Sequence, residues 1–371
     1  MKKLFCLIVS SIVLMISVVA VRAEEVGVSA GAYVLYCPDN DKILVSENPD
    51  KQLPMASTTK IMTTLLTLEE AAVDNRVIEF TPEMSAEGSS MYLKRGERVT
   101  LYDLAVGMMM QSGNDAANAA AISIAGSMEA FSDRMNEKAA QLGMTHTHFV
   151  TPSGLDDAEH YSTAYDMALL MAYALQNADF SYITAQTSME VHFIYPADKF
   201  MTYPNHNKLL RMYPDCIGGK TGFTDAAGRC LVSAARRDDL TLIAVTLDDR
   251  NDWDDHVALY DYGFENFKAV TVGTNIHSIS VAGGDQDSVS VTADNSVIVV
   301  PDDEEEIVTQ VYLPAFLYAP VETDARVGKI VCLSGDEVLT EIPIRTAESV
   351  EYNHKKRSLL TYIKDLLHWH S

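Results

Sequence analysis

Apolar and polar positions along the chain divide it into segments of different period. An apolar run from Leu4 to Ala20 stands between Lys2-Lys3 and Val21-Arg22-Ala23. A basic start, an apolar stretch and a small-residue end predict a signal peptide over residues 1–23, cut before Glu24. The run is also long enough for an uncleaved anchor, and no later run is long enough to span a bilayer. Strand-like runs at Ala32 to Tyr36 and Lys42 to Val45 flank Pro38-Asp39-Asn40-Asp41, which predicts an opening hairpin. Ile61, Leu65, Leu66 and Leu68 then recur at helical spacing, with Ser57 at the helix start and Lys60 one turn later on the same face. From Leu101 to Leu142 the chain reads as helical and rich in Ala and Met, interrupted at Ser112-Gly113-Asn114 by a loop between two helices. Thr145 to Val150 alternates like a strand, and another helical pattern follows Tyr165-Asp166, with Asp166 as a helix-start acid.

Extended runs at Thr221 to Thr224 and Cys230 to Ala234 surround Asp225-Ala226-Ala227-Gly228 as a second hairpin, and Leu240 to Leu247 pairs with them. The first and last strands of this region form one antiparallel sheet, with helices inserted between them. Tyr260-Asp261-Tyr262-Gly263-Phe264 closes a last helix. Beyond Phe267 the runs become short and alternating: Ile279 to Val281, Val289 to Val291, Val297 to Val300, Val308 to Leu313, Lys329 to Cys332 and Val338 to Ile344. That pattern predicts a small all-β domain. In the tail, Leu359, Leu360, Ile363, Leu366 and Leu367 fall at helical spacing after Lys355-Lys356-Arg357, with Trp369 near the end. An amphipathic helix of this kind suits a bilayer interface. The expected organisation is therefore an α/β domain over 24–267, a β-rich domain over 268–348 and a membrane-associating tail over 349–371.

The 371 residues are 47% hydrophobic, enough for a large core, and carry a formal charge of −24, which becomes −27 once Lys2, Lys3 and Arg22 leave with an acid-free leader. Nucleic acid is excluded as a partner, because phosphate binding needs a basic face. Four cysteines follow the leader, Cys37, Cys216, Cys230 and Cys332. Export permits disulfides, and Cys216 and Cys230 bracket the second hairpin, but its apparent register does not set them opposite one another. Buried free thiols are the simpler reading. The acidic run Asp302 to Glu306 reads as a solvated turn, and the methionines of Met108-Met109-Met110 as core filler.

Candidate chemistry lies in three motifs in a fixed order: Ser57-Thr58-Thr59-Lys60, Ser112-Gly113-Asn114 and Lys220-Thr221-Gly222. Taken singly each is weak. Ser57 could be a helix cap, Lys220 a strand-edge lysine, and Ser46-Glu47-Asn48 before Pro49 imitates the second motif in what reads as a turn. Together they supply a nucleophile, a base, a relay pair and an anion-binding lysine, the equipment for attack on an acyl carbon through a serine ester.

With Gly154-Leu155-Asp156-Asp157, His160-Tyr161-Ser162-Thr163-Ala164, the run Lys220-Thr221-Gly222-Phe223-Thr224 and Tyr262-Gly263-Phe264, the chain closely resembles the serine-type D-Ala-D-Ala carboxypeptidases, the low-molecular-mass penicillin-binding proteins. The resemblance implies a β-lactamase/transpeptidase-like α/β domain, a β-sandwich-like domain and a membrane-binding tail. Residue by residue it places the acyl acceptor at Ser57, the base at Lys60, Ser112 and Asn114 on the opposite side of the cleft, and carboxylate binding at Lys220 and Thr221. It also places an oxyanion hole at the backbone N–H groups of Ser57 and Phe223, and counts Gly222, the last residue of the third motif, and Phe223 with the substrate-binding residues. Arg250 stands where family members can carry a further arginine for the carboxylate. His160 reads more simply as a loop-fixing residue. The implied substrate is a peptidoglycan stem peptide ending in D-Ala-D-Ala, with β-lactams as covalent inhibitors, no cofactor and no metal, at the outer face of the cytoplasmic membrane. A zinc peptidase would need a third ligand beside His146 and His148. A class A β-lactamase would need a deacylating glutamate in E-x-x-L-N, and none occurs between Ser112 and Lys220. A non-catalytic β-lactam sensor would keep the serine and lose turnover, and all three motifs here are intact.

Overall fold

In the computed structural model of the chain, the described residues are 26–272, 277–293, 296–303, 307–335 and 337–353. The expected leader lies outside them, as does the tail from residue 354 onward. No helix of the described residues is long and apolar enough to cross a membrane.

Strand β1 (Ala32–Cys37) is buried along its whole length and β2 (Lys42–Glu47) is largely exposed, which places β1 inside a sheet and β2 at its edge. The helices α1 (Lys60–Val73), α2 (Leu101–Gln111), α3 (Asn114–Ala125), α4 (Met128–Gln141), α5 (Ala164–Ala174), α6 (Ala178–Ala185) and the short α7 (Leu209–Met212) follow, and α8 (Asp252–Asn266) closes the region. Two small ribbons sit among them, β3 (Val77–Glu79) with β4 (Arg98–Thr100), and β5 (Ser188–His192) with β6 (Phe200–Pro204). Strands β7 (Cys216–Thr224), β8 (Gly228–Arg237) and β9 (Leu240–Asp249) then complete an antiparallel sheet of order β2-β1-β9-β8-β7.

The period of two along β9 divides its side chains between two cores. Ile243, Val245 and Leu247 join the large core beneath the helical region, whereas Leu240, Leu242 and Ala244 pack with Leu259 and Tyr260 of α8. The α8 side also holds a buried polar cluster in which the Ser233 hydroxyl meets His256 Nδ1 at 2.7 Å and the Tyr260 hydroxyl at 2.6 Å. Burial lowers the His256 pKa to about 3, so the ring stays neutral.

The second region is all β. Strands β10 (Phe267–Val272) and β13 (Ser296–Pro301) form one ribbon. Strands β11 (Ser278–Ala282), β12 (Ser288–Ala293), β14 (Ile307–Tyr312), β15 (Phe316–Tyr318), β16 (Arg326–Ser334) and β17 (Glu337–Thr346) form a sheet of order β14-β16-β17-β12-β11-β15. Ile298 and Val300 on one face of β13 share a core with Val289, Ile330 and Ile344 of that sheet, so the two sheets make a sandwich. Val299, on the opposite face, packs with Leu35 and Cys37, and its carbonyl accepts from Asn40 Nδ2 at 3.3 Å. One strand thus belongs to both cores.

Two sequence expectations change here. Thr145 to Val150 is not a strand, although His148 makes a single bridge to Tyr161. Its N–H groups go to side chains instead: His146 to Asp166 Oδ2, Phe149 to Asn136 Oδ1 and Val150 to His160 Nδ1. Strands β10 and β15 escape the sequence pattern, the first because it continues directly from α8 and the second because three residues carry too little alternation.

Candidate active site

The turn that presents Ser57 is a 3-10 helix, Ala56–Thr59, and the α-helix begins only at Lys60. The sequence places Ser57 at the helix start, as found, but does not show that this first turn is 3-10. The tighter turn is held by inward-pointing threonines, since Thr58 Oγ1 donates to the Met55 carbonyl at 2.6 Å and Thr59 Oγ1 meets His160 Nε2 at 2.8 Å. His160 Nδ1 accepts from the Val150 N–H at 2.9 Å, so Nε2 carries the proton and donates to Thr59. Burial lowers the His160 pKa to about 4. This histidine ties the loop of residues 150–160 to the serine turn.

Lys60 follows one turn later, fully buried, with Nζ 2.8 Å from Ser57 Oγ and 2.5 Å from the Ser153 carbonyl. Burial first, and the Lys220 charge second, push its pKa well below the usual lysine range. The approach of the Ser153 loop depends on Gly154, which has φ +80° and lies so close to the turn that a Cβ would overlap the Ala56 carbonyl oxygen. Only glycine fits there.

The opposite wall comes from the break between α2 and α3. Ser112 takes the left-handed conformation (φ 57°, ψ 32°), which ends α2 and turns its hydroxyl toward Lys220, 3.0 Å away. Asn114 Nδ2 donates to the Glu87 carbonyl at 2.7 Å, while its Oδ1 is buried without a partner among the described residues. Such an oxygen calls for a donor from a bound molecule or water. Asp115 fixes the facing loop: its carboxylate accepts from Met91 N at 2.7 Å, Ser90 Oγ at 2.7 Å and Leu93 N at 3.1 Å.

β7 forms the third wall. Lys220 is buried and also donates to the Thr221 carbonyl at 2.7 Å, and burial lowers its pKa to about 7. At Gly222 the strand runs so near the serine turn that a Cβ would lie 3.0 Å from the Ser57 nitrogen, so the strand edge and the nucleophile share one side of the opening. Ser57, Ser112, Thr221, Gly222 and Phe223 line a cleft of about 330 Å³, with Lys60, Lys220 and Asn114 immediately behind them. All eight sequence-predicted residues therefore converge.

Ser89, His206, Lys208, Arg229, Asp252 and Trp253 on the cleft wall lie outside the sequence motifs, and among them Lys208, Arg229 and Trp253 form one group. Nothing local marks them, because they come from three separate elements. Arg250 is exposed and is not among the lining residues, and the arginine on this wall is Arg229, held by Asp252 at 2.6 and 2.9 Å. Cys216 faces Ala235 and Cys230 faces Gly222 in the β7–β8 register, and the four described cysteines are free thiols. His148 Nδ1 meets the Glu159 carbonyl at 2.6 Å, and no cluster of three metal-binding side chains occurs among the described residues.

Comparison with known proteins agrees with this geometry. A family model described as D-alanyl-D-alanine carboxypeptidase matches residues 19–251, and one described as penicillin-binding protein 5, C-terminal domain, matches residues 264–352. The chain belongs to the D-alanyl-D-alanine carboxypeptidase family. It is 30% identical over 361 residues to D-alanyl-D-alanine carboxypeptidase DacF of Bacillus subtilis, covering 92% of this chain and 90% of that protein. It is 29% identical to DacA of Escherichia coli over 363 residues, 92% of this chain and 88% of the relative. Among solved structures, penicillin-binding protein 5 of Haemophilus influenzae superposes with a TM-score of 0.75 at 28% identity, covering 87% of this chain and 98% of the other. The D-alanyl-D-alanine carboxypeptidase DacD of Francisella tularensis superposes with a TM-score of 0.67 at 27% identity, covering 87% of this chain and 94% of the other. The chain is thus a serine-type DD-carboxypeptidase of cell-wall maturation, in a family whose members are acylated by β-lactams.

In this carboxypeptidase Gly154→Ala combines a left-handed backbone with a steric overlap on the serine turn, a cost of about 2–5 kcal/mol. The expected result is a lowered denaturant midpoint together with slowed acylation by penicillin. Wild-type values for both would show that the turn does not depend on this contact.

Proposed function

We propose that Ser57 is the acyl-accepting nucleophile of this DD-carboxypeptidase, that Lys60 is its general base, and that the substrate is a peptidoglycan stem pentapeptide from which the terminal D-Ala is removed. The observation that carries the assignment is the buried Lys60 amine 2.8 Å from Ser57 Oγ. A neutral amine can donate to the Ser153 carbonyl and still turn its lone pair to the serine hydroxyl. As Ser57 Oγ bonds to the carbonyl carbon of the penultimate D-Ala, its proton passes to Lys60 and the carbonyl oxygen becomes an oxyanion. The backbone N–H groups of Ser57 and Phe223 are assigned to that oxyanion. Collapse breaks the C–N bond, and the leaving amine takes, through the Ser112 hydroxyl, the proton that Lys60 received from Ser57, which returns Lys60 to its neutral form; Lys220 holds Ser112 at 3.0 Å. Water then cleaves the ester, with Lys60 again taking a proton. Asn114 lines the side facing the peptide, and Lys220 and Thr221 receive the terminal carboxylate.

The exported location and the membrane-associating tail complete this reading. They rest on the Leu4 to Ala20 run and on the apolar spacing from Leu359 to Leu367 behind Lys355-Lys356-Arg357. An anionic surface repels a protein of this charge, so apolar burial supplies most of the attachment and the three basic residues assist.

Incubation of the enzyme with muropeptides and mass spectrometry of the products is expected to show loss of one alanine per stem, and Ser57→Ala is expected to abolish both this loss and covalent penicillin labelling. An adduct mapped to another serine would overturn the assignment. Catalysis needs Lys60 unprotonated and Lys220 protonated. Activity therefore rises with pH as Lys60 loses its proton and falls as Lys220 loses its own through about pH 7 in the free enzyme. A bell-shaped kcat/KM profile whose alkaline limb moves upward in Lys220→Arg is the expected outcome. Removal of residues 358–371 is expected to release active enzyme into the soluble fraction, and continued sedimentation with membranes would point to the N-terminal segment as the anchor.

A further inference from the structure

The cleft continues past Thr221 to a wall that none of the three motifs supplies. Lys208 reaches it from the turn before α7, Arg229 from the start of β8 and Trp253 from the start of α8. Lys208 Nζ lies 5.7 Å from the centre of the Trp253 ring and the Arg229 guanidinium carbon 5.8 Å from it, so the indole is flanked by two cations. They differ in what else they hold. Arg229 is committed to the buried Asp252, which accepts from both its Nε and its Nη2. The Lys208 ammonium makes no hydrogen bond or ion pair among the described residues, and its only charge partner there is the ring face.

The backbone under Lys208 is pinned. Asn205 Nδ2 donates to the Gln186 carbonyl at 2.9 Å, Asn205 Oδ1 accepts from Asn207 N at 2.9 Å, and Asn207 Oδ1 accepts from Leu209 N at 3.1 Å. Asn207 Nδ2 also meets Cys216 Sγ on β7 at 3.8 Å. Asn205, Asn207 and Leu209 are buried, and the alternation turns His206 and Lys208 out to the cleft. The Lys220 charge also acts on His206, which places this segment beside the lysine of the third motif. A rigid turn therefore holds an uncommitted, solvated ammonium in the same cleft as Thr221.

We propose that Lys208 is a second carboxylate-recognising residue, which draws the terminal carboxylate of the peptide into the cleft before Lys220 and Thr221 receive it. The inference rests on the carboxypeptidase reading above and adds a residue that determines specificity for a free C-terminus. Its physical basis is a division of labour. Burial that brings Lys220 to about 7 leaves it only partly charged at neutral pH, so on its own it attracts an anion weakly. Lys208 is exposed, and water solvates its ammonium. In a chain this acidic, a local cation at the mouth of the cleft also sets the on-rate of an anionic ligand.

The test compares second-order acylation of Ser57 by benzylpenicillin and by its methyl ester, followed by mass spectrometry, in the full-length wild type, Lys208→Gln and Lys208→Arg. The free acid is expected to acylate the glutamine variant about five- to tenfold more slowly than wild type, the size of effect that a steering charge at a partly exposed site produces. The ester rate is expected to change little, the arginine variant to recover most of the loss, and the acid rate of the glutamine variant to be less sensitive to salt. An equal loss on acid and ester would mark Lys208 as merely structural, and no loss on either would leave it outside recognition. Either result overturns the inference while continued labelling at Ser57 leaves the carboxypeptidase reading standing. Absence of labelling in the wild type would instead remove that reading itself.

Discussion

Two lysine side chains, Lys60 and Lys220, are carried fully into the interior, and among the described residues neither has a carboxylate within hydrogen-bonding distance. Burying an ammonium without a counter-ion is unfavourable, so the pKa of each amine falls below the usual lysine range. The site is built around that constraint. Each amine is anchored by a backbone carbonyl and a hydroxyl, partners that serve a neutral amine and a cation equally, and the sheet and helical layer close over both. The first and last strands of the α/β region lie adjacent as β1 and β9, and the large helical core is stacked on one side of the sheet. This arrangement gives a strand edge on one side of the cleft and two helix ends on the other.

The legible part of this design is the part written in short spacings. Ser57 and Lys60 are one turn apart, Ser112 and Asn114 sit in one helix break, and Lys220 to Phe223 occupy one strand, so each unit has its chemistry and its backbone together. What sequence reading misses depends on tertiary placement. Lys208, Arg229 and Trp253 meet only because the turn before α7, the start of β8 and the start of α8 come together beside the cleft. The misread strand at Thr145 to Val150 has the same origin, since alternation there reflects side chains from Asn136, His160 and Asp166 capturing backbone N–H groups rather than a ladder. The 3-10 geometry at Ser57 is out of reach of the pattern because it is imposed by Met55, Thr58, Thr59 and distant His160, not by helix propensity.

The β sandwich is joined to the α/β region through side chains rather than by linker alone. Val299 is buried with Leu35 and Cys37 while its neighbours Ile298 and Val300 point into the sandwich core. A strand with apolar residues on both faces is the signature of a doubly covered position. The contact lies on the α8 side of the sheet, and none of Val299, Leu35 and Cys37 lines the cleft.

The two lysines need opposite proton states, and the charge of one bears on the other. Both are lowered by burial, and on Lys60 the charge of Lys220 acts in the same direction, whereas burial is the cause at Lys220. A positive charge on Lys220 therefore favours the neutral, basic form of Lys60. Among the described residues, Asp115 acts against this, since its charge raises the Lys60 pKa. Its carboxylate is held by Met91 N, Ser90 Oγ, Leu93 N and Ala116 N, four donors that already stabilise its negative charge. By tying Asp115 to the loop over α3, the fold uses the same carboxylate to shape the Asn114 wall and keeps it from becoming the counter-ion that would hold Lys60 protonated.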